Sequence, residues 1–186
     1  MNIFISGQKN RIFEFETRFK KVLSTHQVFY NPEDSFFNGN SPSKPEMVFD
    51  LSFDSNPDRL NSYLQLKDIP VFLSAVKIQL ASIIGVKSNL SSTIFGLNCI
   101  PGFLSLEKLE ISCLNLSHKN QLDSVMKNLG CSYQLVEDRV GMVCPRIIFM
   151  IINEAFYLVQ EGGALPPDID NAMKFGVNYP MGPFEW

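Results

Sequence analysis

Residues 2–24 read NIFISGQKNRIFEFETRFKKVLS and predict a strand, a glycine turn and an amphipathic helix in succession. The run Asn2–Ser6 is short and apolar, which is typical of a buried strand. From Asn10 to Ser24, large apolar residues recur at the spacing of one helix face. A strand that passes through a glycine into a helix begins a crossover unit, so this segment indicates a sheet with helices on its faces.

The same alternation continues along the chain. We predict further strands at His26–Tyr30, Met47–Leu51, Val71–Ser74, Ser92–Leu97, Lys108–Cys113 and Ser132–Val136, with helices at Pro57–Leu66 and Lys119–Leu129, the second capped by Ser117. Residues Asn31–Pro45 are rich in Pro, Asn, Ser and Gly and predict a loop. The expected fold class is α/β, with a parallel sheet over residues 1–138 and a short all-α segment over residues 139–186.

The second segment is apolar to an unusual degree. Gly141–Gln160 predicts a helix that is apolar nearly all round, and Pro166–Phe175 predicts a shorter one. A helix that is apolar on every side is buried on every side. In a chain of 186 residues we therefore expect a second copy to cover it, giving a homodimer through the helix Arg146–Val159.

Composition argues against several classes of partner. The net charge is −3 and no basic run is longer than a pair, so we expect no nucleic-acid partner. The longest apolar run, Ile147–Ile152, is too short to span a bilayer, and no signal-peptide pattern is visible, so we expect no membrane partner and a cytoplasmic location. The four cysteines form no CxxC pair, which predicts free thiols and no metal site.

The C-terminal segment carries a family resemblance. Residues 141–185 include Asn153-Glu154-Ala155, Asp168-Ile169-Asp170 and Tyr179-Pro180-Met181-Gly182-Pro183 at unbroken spacing. This pattern resembles the start of the helical domain of 3-hydroxyacyl-CoA dehydrogenases. The resemblance implies that the preceding part is a Rossmann domain, which binds NAD in that family, and that acyl-CoA esters are the class of substrate.

The turn that would hold the cofactor departs from the family pattern. A GxGxxG turn lets the backbone approach the pyrophosphate, and here only Gly7 remains, with Lys9 and Ile12 at the second and third glycine positions. The acidic residue expected after the second strand is also missing, with Asn31 nearest to its place. The Rossmann-like domain therefore looks degenerate, Gly7 is a weak cofactor-binding candidate, and we expect no cofactor to be bound.

The catalytic positions can be followed one by one. In the family a His takes the proton from the 3-hydroxyl group and a Glu orients it. The resemblance places Asn98 at the His position and Glu110 at the Glu position. It places Lys77 at the family's catalytic Ser and Pro145 at its Asn. Only Glu110 keeps its residue type, and an amide at position 98 cannot accept a proton near neutral pH.

Three functions remain open from the sequence. The first is a dehydrogenase relative that is inactive or strongly impaired and has an interaction or regulatory role. The second is an active NAD-dependent oxidoreductase of 3-hydroxyacyl-CoA, of the 3-hydroxybutyryl-CoA type, that uses rearranged residues. The third is a module that binds an acyl-CoA-like ligand without redox chemistry.

Overall fold

The computed structural model describes residues 1–31, 44–85 and 93–186. The chain divides into two compact units, Met1–Met142 and Val143–Trp186. Most of the loop predicted at Asn31–Pro45, and the first residue of the strand predicted at Ser92–Leu97, lie outside the described residues. The predicted domains, 1–138 and 139–186, stay a prediction.

One sheet organises the first unit. Within the described residues its seven strands are β1 (Asn2–Ser6), β2 (Gln27–Asn31), β3 (Met47–Asp50), β4 (Pro70–Ser74), β5 (Thr93–Leu97), β6 (Lys108–Cys113) and β7 (Ser132–Val136). Their order is β2-β1-β3-β4-β5-β6-β7. The first five strands run parallel, β6 is antiparallel to β5, and β7 is parallel to β6. The predicted α/β class is thus confirmed, and the last two strands make the sheet mixed.

Helices cover both faces of this sheet. They are α1 (Lys9–Leu23), α2 (Leu60–Leu64), α3 (Leu80–Ile84) and α4 (Lys119–Asn128). The predicted helix Pro57–Leu66 is divided, because a 3-10 turn over Pro57–Arg59 precedes α2. The predicted cap at Ser117 is wrong. The Asn115 side chain instead accepts a hydrogen bond from the backbone N–H of Ser117, in a 3-10 turn that leads into α4.

Phenylalanines in register build the core beneath α1. Phe49, Phe72 and Phe95 are directly opposite one another on β3, β4 and β5. The ring centroids of Phe49 and Phe72 are 4.8 Å apart, those of Phe72 and Phe95 are 5.0 Å apart, and Phe15 of α1 lies 4.7 Å from Phe49. All four are almost fully buried. Alternation along each strand therefore fixes which face α1 covers.

The second unit consists of helices. α5 (Cys144–Gln160) is followed by α6 (Pro166–Asn171) and by a single π-helical turn at Ala172–Gly176. Only Pro145 and Ala155 of α5 are buried, whereas Ile147, Met150 and Tyr157 are exposed. The expected cover of α5 by a second copy stays a prediction. In the part of the chain that the structure describes, no helix is long and apolar enough to cross a membrane.

Candidate functional site

The carboxyl ends of the parallel strands converge where the strand order reverses. β2 lies on one side of β1 and β3 on the other, and ligands of open α/β sheets bind at such a switch point. Gly7 joins β1 to α1 here, at φ +147°, a conformation that favours glycine. A Cβ built on Gly7 would lie 3.0 Å from Cβ of Leu51 at the end of β3, so the turn needs glycine on steric grounds as well.

Asn98 and Glu110 face each other at the end of β5. Because β6 is antiparallel to β5, the start of β6 lies beside the end of β5. The backbone N–H of Asn98 donates to the Glu110 carbonyl oxygen at 3.1 Å, and Asn98 Nδ2 donates to Glu110 Oε2 at 3.3 Å. Asn98 Oδ1 accepts from the backbone N–H of Ile100 at 3.2 Å. The structure thus brings together Asn98 and Glu110, the residues at the family's His and Glu positions. Both are buried, with 2% of Asn98 and 8% of Glu110 exposed.

The two other predicted catalytic positions lie elsewhere. Lys77 follows β4 and is exposed, with its Nζ 3.3 Å from Ser55 Oγ. Pro145 is in the first turn of α5 and belongs to the second unit. The catalytic roles of Asn98, Glu110, Lys77 and Pro145, and the cofactor role of Gly7, stay predictions.

A buried ionic cluster lies below the switch point. The carboxylate of Asp50 is fully buried and has an Arg59 nitrogen 3.2 Å from Oδ2, while the Tyr63 hydroxyl donates to Oδ2 at 2.6 Å. Burial raises the pKa of the Asp50 carboxyl, and the Arg59 charge and the Tyr63 hydrogen bond oppose this rise. Tyr63 itself has a pKa raised by burial and by the neighbouring carboxylate, so it stays a neutral donor. Asp50, Arg59 and Tyr63 thus hold one another within the cluster.

Arg11 forms a second buried pair beside this cluster. Its Nη1 donates to the Leu51 carbonyl oxygen at 2.6 Å and lies 3.5 Å from Asp54 Oδ1. Ser74 Oγ, at the end of β4, is 3.4 Å from the same nitrogen. Nearby Cys99 is fully buried, and burial raises the pKa of its thiol, which argues against a thiolate nucleophile.

Arg11 and Asp54 were not foreseen as site residues. The signal was an arginine in the first helical turn after Gly7, but nothing in the sequence indicates that it turns inward. An Arg–Asp contact between residues 43 positions apart depends on how β1 and β3 pair, so local patterns could not predict it.

The motif near the C-terminus builds a turn. Asp170 is buried, and its Oδ1 accepts a hydrogen bond from the backbone N–H of Phe184 at 2.9 Å. A Cβ on Gly182 would overlap the Asp170 carboxylate, so only glycine fits there. Phe184 packs edge-on against Phe156 of α5, and Lys174 pairs with Glu185. These contacts explain the motif by packing, without a catalytic role.

Comparison with known proteins agrees with the resemblance. The sequence profile of the 3-hydroxyacyl-CoA dehydrogenase C-terminal domain matches residues 141–186. The chain is 51% identical over 61 residues to the 3-hydroxyadipyl-CoA dehydrogenase of Escherichia coli K12, covering 33% of this chain and 13% of that protein. It is 33% identical over 88 residues to the human mitochondrial hydroxyacyl-coenzyme A dehydrogenase, covering 47% of this chain and 28% of that protein. The chain therefore spans only a small part of the length of these relatives.

Solved structures share the fold over nearly the whole chain. The (S)-3-hydroxybutyryl-CoA dehydrogenase of Ralstonia eutropha superposes with a TM-score of 0.69 at 18% identity, covering 98% of this chain and 79% of that one. An NAD⁺-dependent dismutase, a 5-dehydrogenase of a pyridine carboxylic acid, superposes with a TM-score of 0.68 at 16% identity, covering 96% and 71%. At such identities the likeness shows the fold alone.

These findings correct the prediction about the cofactor. We expected no cofactor to be bound, because the glycine pattern around Gly7 is eroded. That prediction is wrong, since the matched family consists of NAD-dependent dehydrogenases and an NAD⁺-dependent enzyme shares the fold. The tight turn at Gly7, at the switch point and at the start of the 15-residue helix α1, is present although Lys9 and Ile12 stand at the second and third glycine positions.

Proposed function

We propose that this chain is a 3-hydroxyacyl-CoA dehydrogenase relative whose hydride-transfer chemistry is strongly impaired, since residues 141–186 match the sequence profile of that family's C-terminal domain. The observation that carries the proposal is the buried hydrogen bond between Asn98 and Glu110. It supports an alignment in which an amide replaces the imidazole that would accept a proton from the substrate. The proposed role is interaction or regulation, within the chemistry of 3-hydroxyacyl-CoA esters.

The bonds of Asn98 explain why it would be inert. Its Nδ2 donates to a carboxylate and its Oδ1 accepts from the backbone of Ile100. An amide in this arrangement has no basic lone pair near neutral pH, whereas an imidazole would hold a proton transiently between substrate and carboxylate. Glu110 then orients a group that cannot titrate.

Bound NAD would supply the hydride acceptor in the family's reaction. In this chain the Gly7 turn and the backbone N–H groups that begin α1 are the parts that would hold its diphosphate, because a helix N-terminus favours an anion. Gln8, Lys9 and Asn10 are exposed there, although the backbone N–H of Gln8 already donates to Ser52 Oγ at 3.0 Å. This chain's own residues therefore support binding and orientation, while the group that would take the proton is missing.

An assay of NADH oxidation with acetoacetyl-CoA tests the proposal. We expect wild-type protein at millimolar NADH to show only a background rate, and Asn98→Gln to show the same rate, because neither amide can donate the proton that reduction of the ketone requires. Lys77→Met and Glu110→Gln are the matched variants that test whether another titratable side chain carries out the reaction in place of the missing histidine. A wild-type rate that falls at least tenfold in either control would instead establish an active oxidoreductase.

We also propose that two copies associate through α5. Ile147, Met150 and Tyr157 are exposed along one side of this helix, and burying each against a partner would contribute at most about 1.5–3 kcal/mol. Covering such a face with a second copy is the simplest closed arrangement.

The four cysteines are free, which supports a reducing compartment, the cytoplasm, as the location.

The charges on α5 support an antiparallel pair. Arg146 and Glu154 lie eight residues apart and flank Met150, so they are separated by about 12 Å along the helix axis. In a two-fold pair centred on Met150, the arginine of each copy would face the glutamate of the other. Sedimentation at micromolar concentration should show a dimer that Arg146→Glu weakens and that Arg146→Glu with Glu154→Arg restores. A monomeric wild type would overturn this arrangement.

A further inference from the structure

Arg11 lies at the carboxyl ends of the parallel strands, the edge at which open α/β sheets bind ligands. It lies in the first turn of α1, directly after the Gly7 turn, and its guanidinium contacts the Leu51 carbonyl and approaches Ser74 Oγ. The guanidinium therefore lies over the carboxyl ends of β3 and β4, next to the switch point between β1 and β3. Ligands of open α/β sheets bind in this crevice.

The pair between Arg11 and Asp54 is poorly satisfied for its burial. The two side chains are 7% and 1% exposed, and 3.5 Å separates Nη1 from Oδ1. Among the described residues, Arg11 Nε and Asp54 Oδ1 are two of the few buried polar atoms that have no hydrogen-bond partner. A buried polar atom left without a partner costs free energy, so a group that satisfied Arg11 Nε would bind favourably.

We propose that Arg11 is the side chain that holds a ligand's phosphate or diphosphate, and that Asp54 is an internal competitor for it. A phosphate can accept two hydrogen bonds from one guanidinium, through Nε and a terminal nitrogen, which the Asp54 carboxylate does not do here. This contact would add to the backbone N–H groups of the turn, of which the Gln8 N–H already donates to Ser52 Oγ at 3.0 Å. This inference shares one assumption with the proposed function, namely that the crevice binds a dinucleotide. It does not depend on whether the chain transfers hydride.

Asp54 sets the affinity under this proposal. It lies on the 3-10 turn Phe53–Ser55, which follows β3 and is separate from α1. When a phosphate takes the guanidinium, the Asp54 carboxylate is left beside another negative charge, and this repulsion weakens binding. Asp54→Asn removes the competing charge and leaves Arg11 available.

Titration of NADH fluorescence in four variants tests the inference. We expect Asp54→Asn to lower the Kd for NADH at least tenfold, and Arg11→Met to raise it at least tenfold. The double variant Arg11→Met with Asp54→Asn should bind as weakly as Arg11→Met alone, because the gain from Asp54→Asn needs the guanidinium. The matched control is Lys119→Met with Asp123→Asn, an exposed pair at 2.7 Å, which should leave the Kd unchanged.

Inorganic pyrophosphate and adenosine, which has no phosphate, identify the recognised group. Competition by pyrophosphate that strengthens in Asp54→Asn supports an anion site, whereas a gain for adenosine equal to that for NADH with none for pyrophosphate overturns it. Unchanged NADH affinity in Asp54→Asn, or tighter binding in Arg11→Met, would also overturn it. Far-UV circular dichroism verifies that each variant is folded. The readout is binding, so wild-type turnover would defeat the proposed function without affecting this inference.

Discussion

Removing the cation beside Asp50 should destabilise the first unit strongly. The Asp50 carboxylate is fully buried, with Arg59 3.2 Å away, so Arg59→Met strands a buried negative charge. Breaking such a pair costs about 3–5 kcal/mol. Tyr63 and the backbone N–H of Ser52 still donate to the carboxylate, so we expect the lower end of this range. The free energy of unfolding should fall by about 3 kcal/mol, and the melting temperature by about 10 °C.

Urea unfolding followed by circular dichroism measures this cost. The matched control is Lys119→Met, which removes the cation from a pair with Asp123 whose side chains are 49% and 46% exposed. Exposed pairs contribute less than about 1 kcal/mol, because water screens them and both side chains are mobile. If Arg59→Met and Lys119→Met reduce the free energy of unfolding equally, the reasoning about burial is refuted.

Three further predictions concern single positions. Gly7→Ala should lower the free energy of unfolding by about 1–3 kcal/mol, because φ is +147° and Leu51 crowds the new Cβ. Gly130→Ala, at φ +62° with open space, should cost about 1 kcal/mol, and equal losses in the two urea titrations would contradict the steric argument. Gly182→Ala should loosen the turn around Asp170, seen as faster hydrogen exchange in the second unit, and unchanged exchange would count against it. Burial raises the Asp50 pKa, so the folded state keeps its proton at higher pH than the unfolded state. As pH falls from this raised pKa toward 3.8, the free energy of unfolding of wild type should therefore increase relative to that of Asp50→Asn. Urea titrations at several pH values measure this difference, and a decrease would contradict the prediction.

The strand and helix pattern of the first unit was predictable because it is local. Apolar runs gave β1 and β4 and helical spacing gave α1, each within one or two residues of the observed bounds. The pairing of Asn98 with Glu110 was also predicted, because the family resemblance fixes the spacing between them. The antiparallel β6 that brings them together depends on a chain reversal between residues 98 and 107, and periodicity does not reveal its direction.

The charged interior was not predictable for a physical reason. Arg11 and Arg59 lie in predicted helices and Asp50 lies in a predicted strand, and nothing in these patterns indicates that the charges turn inward. Their burial results from packing between β1, β3 and the turns that follow β3, which are contacts between distant parts of the sequence. The apolar composition of α5 predicts that something covers it but does not identify what, so its cover by a second copy stays a prediction.

Restoring the imidazole tests the central claim most directly. The measurement is the rate of NADH oxidation with acetoacetyl-CoA by Asn98→His, compared with wild type across pH. With Glu110 already 3.3 Å from the side chain at this position, we expect a gain of about 10²-fold or more and an inflection near the imidazole pKa of about 6.5. Glu110→Gln in that background should lower the gain. A wild-type rate equal to that of Asn98→His, with the same pH profile, would contradict the claim that proton transfer is what this chain lacks.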